Sequence, residues 1–285
     1  MAVRARYVAH LERSPLAVTT RHSYERQVRA FLAWLDGRGD AASAVLRDPL
    51  EADFVVRDYR RELKDRRLAP ASVNAALSAI DHLYRFLGVG PLEVRREHLE
   101  AQAPRALDEN ALRAVLRAGE RRASARDRAI VGLMALAGLR IAEVAGLDVD
   151  DVALSARKGH VLVRRGKGDQ SRTVPLGAGV RDLVDGWLAE RPESTSPALF
   201  VTSAGGRLSV RSLDRVVRAT GGVAGVALSA HVLRHTFVTR LVRSGADVVL
   251  VAELAGHRSL ETTRRYSLPS AEDRAAAVEY ASVEY

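Results

Sequence analysis

HVLRHTFVTRLVRSGADVVLVAELAGHRSLETTRRY, residues 231–266, is the stretch from which the fold and the chemistry of this chain are both read. From Ala230 to Val242 the pattern is helical, so His231 and Arg234, three apart, share one face and can reach one anion. A second helix over 248–254 runs into Ala255 and Gly256, which puts His257 in a turn. Ser259 can cap the segment LETTRR, which presents Tyr266 at its end. Two histidines, an arginine and a phenol are parts that can bind a phosphate and attack it. His235 stands four residues after His231, and such a pair can hold a metal. No third ligand of suitable type stands nearby and no HExxH occurs, so His235 reads better as satisfying a buried hydrogen bond. Tyr7, Tyr24, Tyr59 and Tyr84 fall in or beside apolar stripes, whereas Tyr266 follows Arg264 and Arg265 with no stripe to join.

Upstream, the missing charges come from two places. ARDRAIVGLMALAG, residues 125–138, is nearly all apolar after Arg128, as expected of a helix buried on most sides, and Gly138 is a good stop. Arg140 follows on this rigid support, before a short helix IAEVAGL, and Glu143 three residues on offers it an ion pair. The period then changes. HVLVRR (160–165) and SRTVPL (171–176) alternate as strands of a hairpin whose turn carries Lys167 near its tip. Basic residues here are almost all arginine, with Lys64, Lys158 and Lys167 the lysines. Only a lysine can release a proton near neutral pH, which makes Lys167 a candidate general acid; an ordinary exposed turn lysine fits the position as well. No GxxxxGK[ST] loop accompanies it, so ATP binding through this lysine is not supported. Helices over 177–191 and 209–219, joined by a short LFVT strand, read as scaffold.

The first third reads as four helices. Residues 3–12 make the first, and Thr19 or Thr20 caps the second, where Tyr24, Val28, Phe31 and Leu35 recur at helical spacing. Residues 51–67 carry Val55, Tyr59 and Leu63, and the fourth helix, opened by Pro70, carries Val73, Leu77, Ile80, Leu83 and Tyr84. Such helices close into a small bundle over residues 1–88. Residues 89–106, with two prolines and few large apolar groups, read as a linker to a second domain over 107–285, which Asp108 opens as a helix cap.

A chain of 285 residues with 47% hydrophobic and 28% charged residues describes globular domains without a disorder bias. A net charge of +9, positive in both halves, favours a polyanionic partner. No cysteine occurs, which excludes disulfides and thiolate metal sites. The charged start cannot be a secretory signal core, and no apolar run approaches the about 20 residues that span a bilayer, so a cytoplasmic protein without membrane partners is expected.

ALAGLRIAEVAGL, RGKGDQSR, HVLRHTF and LAGHRSLETTRRY, in this order and spacing, together resemble the tyrosine recombinase or phage integrase family over residues 107–268. The helical first part resembles that family's core-binding (SAM-like) domain. The resemblance implies a mainly α fold with a small antiparallel β-sheet in the catalytic domain. It implies a site-specific DNA recombinase that cuts and rejoins strands through a 3′-phosphotyrosyl link, with Tyr266 as nucleophile. Arg140 and Arg234 would clamp the phosphate, His231 and His257 would bond it, and His231 would also help move the nucleophile's proton. Lys167 would protonate the departing 5′-oxygen, while Glu143 would orient Arg140 or a neighbour and His235 would support the site. Neither metal nor ATP is implied as cofactor. The partner would be double-stranded DNA bearing a specific site, gripped in a C-shaped clamp. A homotetramer would assemble on it, with or without a second recombinase, through a helix-prone tail over 271–285 that docks into a neighbour or folds back. The short first part, with no room for an arm-binding domain, favours a compact Xer-like or transposon-type member over the larger phage integrases. Type IB topoisomerase-like nicking and religation, or an inert DNA-binding regulator, are the other functions open to the same residues.

Overall fold

The computed structural model describes residues 2–38, 45–99, 106–122, 124–164, 171–257, 260–264 and 266. The chain divides into two compact units, Met1–Glu100 and Ala101–Tyr285.

The first unit is helical: α1 (Ala2–Arg13), α2 (Val18–Gly37), α3 (Pro49–Asp65) and α4 (Pro70–Phe86). Proline opens α3 and α4, where a missing N–H costs nothing, and the Asp48 carboxylate takes the Leu50 N–H at 2.8 Å. α2 differs from expectation. It starts at Val18 without a side-chain cap, because the Arg21 N–H closes the first turn on the Ala17 carbonyl, and Thr19 and Thr20 lie inside the helix. Tyr7, Phe31, Tyr59, Ile80 and Tyr84 are fully buried between the helices. The Tyr7 hydroxyl, which burial would otherwise strand, meets His82 Nδ1 at 3.0 Å. Residues 89–97 are strapped to this bundle. Leu92 and Val94 pack on its core, and the Leu92, Glu93 and Glu97 N–H groups donate to Asp81, Asp53 and Asn74.

The second unit runs α5 (Glu109–Arg122), α6 (Ala125–Leu136), α7 (Ile141–Gly146), β1 (Val152–Leu154), β2 (Gly159–Val163), β3 (Arg172–Pro175), α8 (Ala178–Glu190), α9 (Val210–Ala224), α10 (Ala230–Arg243), α11 (Val248–Ala255) and α12 (Leu260–Arg264). Asp108 caps α5, accepting from the Ala111 N–H at 2.8 Å. α6 is the central element: Ala129 to Ala135 are all buried, with α5, α8, α9 and α10 packed around it. That enclosure is why its sequence carries so little polar pattern.

The strands form one antiparallel sheet in the order β1-β2-β3, with Val161 paired to Val174 and Val163 to Arg172. The hairpin of β2 and β3 matches the alternation in sequence; β1 is an addition, three residues with no buried face to mark it. Residues 199–202 do not form the expected strand. Ala198 and Val201 make single bridges to Asp148 and Arg207, and Trp187 donates to the Leu199 carbonyl at 2.9 Å, so the segment is core filling pinned by isolated bonds. Among the described residues no helix is long and apolar enough to cross a membrane.

Candidate active site

Gly138 determines where Arg140 stands. It turns the chain out of α6 with φ of +69°, and a Cβ at this position would lie 2.2 Å from the Phe237 ring, so only glycine fits both conformation and space. Arg140 follows as the residue before α7, in extended conformation, and its backbone N–H donates to Glu143 Oε2 at 2.8 Å. Its side chain sends Nη1 to Glu143 Oε1 at 2.7 Å and Nη2 to the Gly256 carbonyl at 2.5 Å.

Arg234 arrives from α10, whose first turn Ser229 caps by accepting the Val232 N–H at 3.3 Å. Arg234 is 6% exposed; its Nη1 donates to the Gly138 carbonyl at 2.6 Å and its Nη2 to the Ala255 carbonyl. Burial, then the charge of Arg140, push its pKa down to about 10, so the guanidinium stays protonated at neutral pH.

Arg172, at the start of β3, is a third arginine that sequence reading missed. Its Nη1 and Nη2 donate side-on to Glu143 at 2.8 and 2.9 Å, and its Nε to the Leu254 carbonyl at 3.3 Å. The Glu143 side chain is 4% exposed and takes four N–H bonds. Burial alone would raise its carboxyl, but the hydrogen bonds from Arg172 and from the Arg140 backbone outweigh it and hold it at about 2. The carboxylate is therefore a fixed anion between two guanidiniums.

The three arginines share a second anchor. α11 ends at Gly256 with φ of +61°, and the His257 N–H closes the turn on the Ala252 carbonyl at 2.8 Å. The Glu253 carbonyl accepts the Gly256 N–H at 2.9 Å, and the three that follow, of Leu254, Ala255 and Gly256, receive Arg172, Arg234 and Arg140 in that order. Unsatisfied carbonyls at a helix C-terminus carry partial negative charge, which suits cationic donors. Arg140 and Arg234 each commit two of five N–H bonds to these anchors, and the remainder are available to a phosphate.

The same turn carries His257, whose Nδ1 meets Thr263 Oγ1 at 2.8 Å. Its ring lies parallel to that of Tyr266, with centroids 6.1 Å apart. Tyr266 has no stripe of its own segment to join, as expected, yet it packs on a small apolar cluster of Val238, Val251 and Ala255. That cluster comes from α10 and α11, and no local stripe announces it. The Tyr266 hydroxyl bonds His235 Nδ1, and the His235 ring is edge-on to His231 with centroids 3.8 Å apart. Burial is the main cause that lowers all three histidine pKa values. His235 falls to about 4, helped by His231, Arg234 and His257, and His257 also to about 4, helped by Arg234, Arg140 and Arg172. All three rings are neutral at pH 7.

Arg140, Glu143, His231, Arg234, His235, His257 and Tyr266 thus belong to one linked cluster drawn from α7, α10 and the turns after α6, α11 and α12. Lys167 and the tail over 271–285 lie outside the described residues. Among the described residues no group of three or more histidine, aspartate or glutamate side chains is arranged to hold a metal ion. What the cluster offers chemically is two charged forks with donors to spare, two further ring donors and a phenol.

The model of the phage integrase family matches residues 105–272, and that of the phage integrase N-terminal SAM-like domain matches residues 5–88. Tyrosine recombinase XerD of Mycobacterium tuberculosis (strain ATCC 25618 / H37Rv) is 34% identical over 92% of this chain and 91% of its own. Tyrosine recombinase XerA of Pyrococcus furiosus is 30% identical over 79% of each. The crystal structure of XerH site-specific recombinase bound to difH substrate in a pre-cleavage complex covers 90% of this chain and 78% of its own, with a TM-score of 0.72 at 24% identity. The Tn1549 transposon integrase in complex with circular intermediate DNA covers 99% of each chain, with a TM-score of 0.72 at 17% identity. At those identities the two structures speak to the fold alone.

Proposed function

Because the chain belongs to the phage integrase family of tyrosine recombinases, we propose that it cleaves and rejoins DNA at a specific site through a 3′-phosphotyrosyl intermediate. The observation that carries this reading is that one helix turn seats two guanidiniums on its carbonyls at Ala255 and Gly256 and carries next to them His257, whose ring stacks on Tyr266. In it, Arg140 and Arg234 hold the non-bridging oxygens of the scissile phosphate. Their remaining N–H bonds neutralise charge that builds as the phosphorus becomes five-coordinate. His231 and His257 bond the same group. Tyr266 Oη attacks phosphorus, the P–O5′ bond breaks, and Lys167 supplies the proton that the 5′-oxygen takes up. Glu143 and Arg172 keep Arg140 in place. The covalent link stores the bond energy, so rejoining needs no ATP, and none of these steps calls on a metal.

The partner is double-stranded DNA carrying a specific recombination site. Strand exchange between two duplexes requires several active sites, and a tetramer on DNA in the cytoplasm, at the nucleoid, is the assembly that supplies them. Residues 1–88 form the second DNA-binding domain of this reading, 89–106 the connection and 107–285 the catalytic domain. A suicide duplex, nicked beside the cleavage position so that the 5′ end diffuses away, tests the mechanism. The wild-type chain accumulates a covalent protein–DNA adduct and Tyr266→Phe does not. No adduct from the wild type, or an adduct from the variant, rules the mechanism out.

A further inference from the structure

We infer that His235 is the base that receives the Tyr266 hydroxyl proton as Oη attacks phosphorus. This rests on the phosphotyrosyl reading above and adds to it the proton's destination.

The geometry is direct. The Tyr266 hydroxyl bonds Nδ1 of His235, on the inner face of α10, while His231, more exposed one turn earlier, meets the edge of the His235 ring. His257 lies parallel to the phenol ring and commits its Nδ1 to Thr263. His235 is therefore the imidazole in hydrogen-bond contact with the reacting oxygen. Among the described residues, the charged and titratable groups acting on it are His231 and Arg234 from its own helix and His257 from the turn after α11. With those groups around it the ring is neutral, so in the Nε2–H tautomer Nδ1 accepts from the phenol.

The proton balance closes. Oη–P forms and P–O5′ breaks, the phenol proton passes to His235 Nδ1, and O5′ leaves with a proton from Lys167. On rejoining, the 5′-hydroxyl attacks and His235 returns its proton to Oη. A basicity mismatch between a neutral, depressed imidazole and a phenol keeps the nucleophile protonated at rest. The substrate removes a small part of that mismatch: burial is the larger cause that depresses His235, and a phosphodiester anion beside Arg234 offsets only the share that comes from that charge. Bond formation also makes the phenol oxygen more acidic as its lone pair is drawn to phosphorus.

The test uses the full chain on the suicide duplex and on the same duplex with a 5′-bridging phosphorothiolate, whose sulfur leaves without a proton. Wild type against Tyr266→Phe first establishes adduct formation on each, so failure of the phosphotyrosyl reading is seen separately. His235→Asn keeps an acceptor near the Nδ1 position but cannot take a proton, and His235→Ala removes both. Both are expected to cleave about 100-fold more slowly at pH 7 with DNA affinity within about twofold of wild type. The phosphorothiolate does not restore them, whereas it restores Lys167→Ala. Raising the pH toward that of the free phenol lets the rate of both variants climb, because phenolate then forms without a base. Wild-type cleavage by His235→Asn, recovery on the phosphorothiolate at pH 7, or a rate that stays low at every pH overturns the inference. A second measurement keeps the wild-type ring in place and serves if the variants do not fold. Nitrogen-15 NMR of the intact chain at pH 7.5 is expected to show His235 Nδ1 unprotonated and shifted by Tyr266→Phe; a protonated Nδ1, or one that ignores the loss of the hydroxyl, overturns it.

Discussion

Arg172 meets Glu143 side-on, its two terminal nitrogens donating to the two carboxylate oxygens at 2.8 and 2.9 Å, across a separation of 29 positions in the chain. A lysine at 172 keeps the charge but presents one point where a fork is needed, and it cannot also reach the Leu254 carbonyl. Arg172→Lys is expected to lose about 2 kcal/mol of stability and to slow adduct formation about tenfold, with Arg172→Ala worse on both counts. Urea denaturation and single-turnover cleavage of the two variants measure this. An Arg172→Lys variant as stable and as fast as wild type would mean that the fork geometry is immaterial.

Arg140 and Arg234 are expected to part company when each is replaced by alanine. Both variants should cleave at least about 100-fold more slowly, since each loses a donor to the phosphate. Arg234→Ala also strips the buried Gly138 and Ala255 carbonyls of their donor, at a cost of about 2 kcal/mol or more. Arg140→Ala leaves the backbone N–H on Glu143 in place and removes a side chain that is 32% exposed, so its denaturation midpoint should stay nearer wild type. A reversed order of midpoints would contradict the anchoring described for Arg234.

Gly138→Ala sets a methyl group against the Phe237 ring and forces alanine to a positive φ. A loss of about 3 kcal/mol is expected, combining overpacking with backbone strain. Phe237→Ala in the same chain should recover the packing share but not the φ share, a coupling that a double-mutant cycle reads directly. Strict additivity would show that the two side chains do not meet.

The helices, the hairpin and most of the site were legible in the sequence, because periodicity and glycine punctuation are local signals. His231 and Arg234 share a helix face, and Gly138 and Gly256 mark the turns that carry Arg140 and His257. Arg172 was not legible. It sits in the alternating SRTVPL strand, and nothing nearby reveals that the strand carries it to Glu143 and to the end of α11. The apolar seat of Tyr266 escaped for the same reason, being built from Val238, Val251 and Ala255 on two other helices. β1 was lost because three residues cannot display an alternation.

Acid should unfold this protein in two stages. The pKa values of His235 and His257 are lower in the folded chain, about 4 against an ordinary 6.5, so the unfolded chain takes up protons first. Their share of stability is full above pH 6.5 and declines as the pH falls toward 4, by about 1 kcal/mol each once the screening of half-buried rings is allowed for. Glu143 is depressed to about 2 from 4.5, so its share is full above pH 4.5 and is lost as the pH falls from there toward 2. Thermal melts from pH 8 to 3 check this, and His257→Asn should roughly halve the upper stage and leave the lower one unchanged.

DNA affinity should fall steeply with salt, as expected when basic residues of both halves displace counterions from the phosphate backbone. Filter binding or anisotropy between 50 and 300 mM salt, roughly the range over which such slopes are read, tests this. A nearly flat plot would argue against phosphate contacts as the main source of affinity.

Three guanidiniums are seated on the carbonyls of Leu254, Ala255 and Gly256, one apiece and in sequence. Such seating works like a key with three adjacent notches. One residue inserted or deleted in that span would offer every arginine its neighbour's notch and swing His257 off its bearing. Side chains there can vary wherever only the backbone is read, but the count of residues between Ala252 and His257 cannot. In chains sharing this arrangement, length variation should collect in other turns and leave this one unchanged.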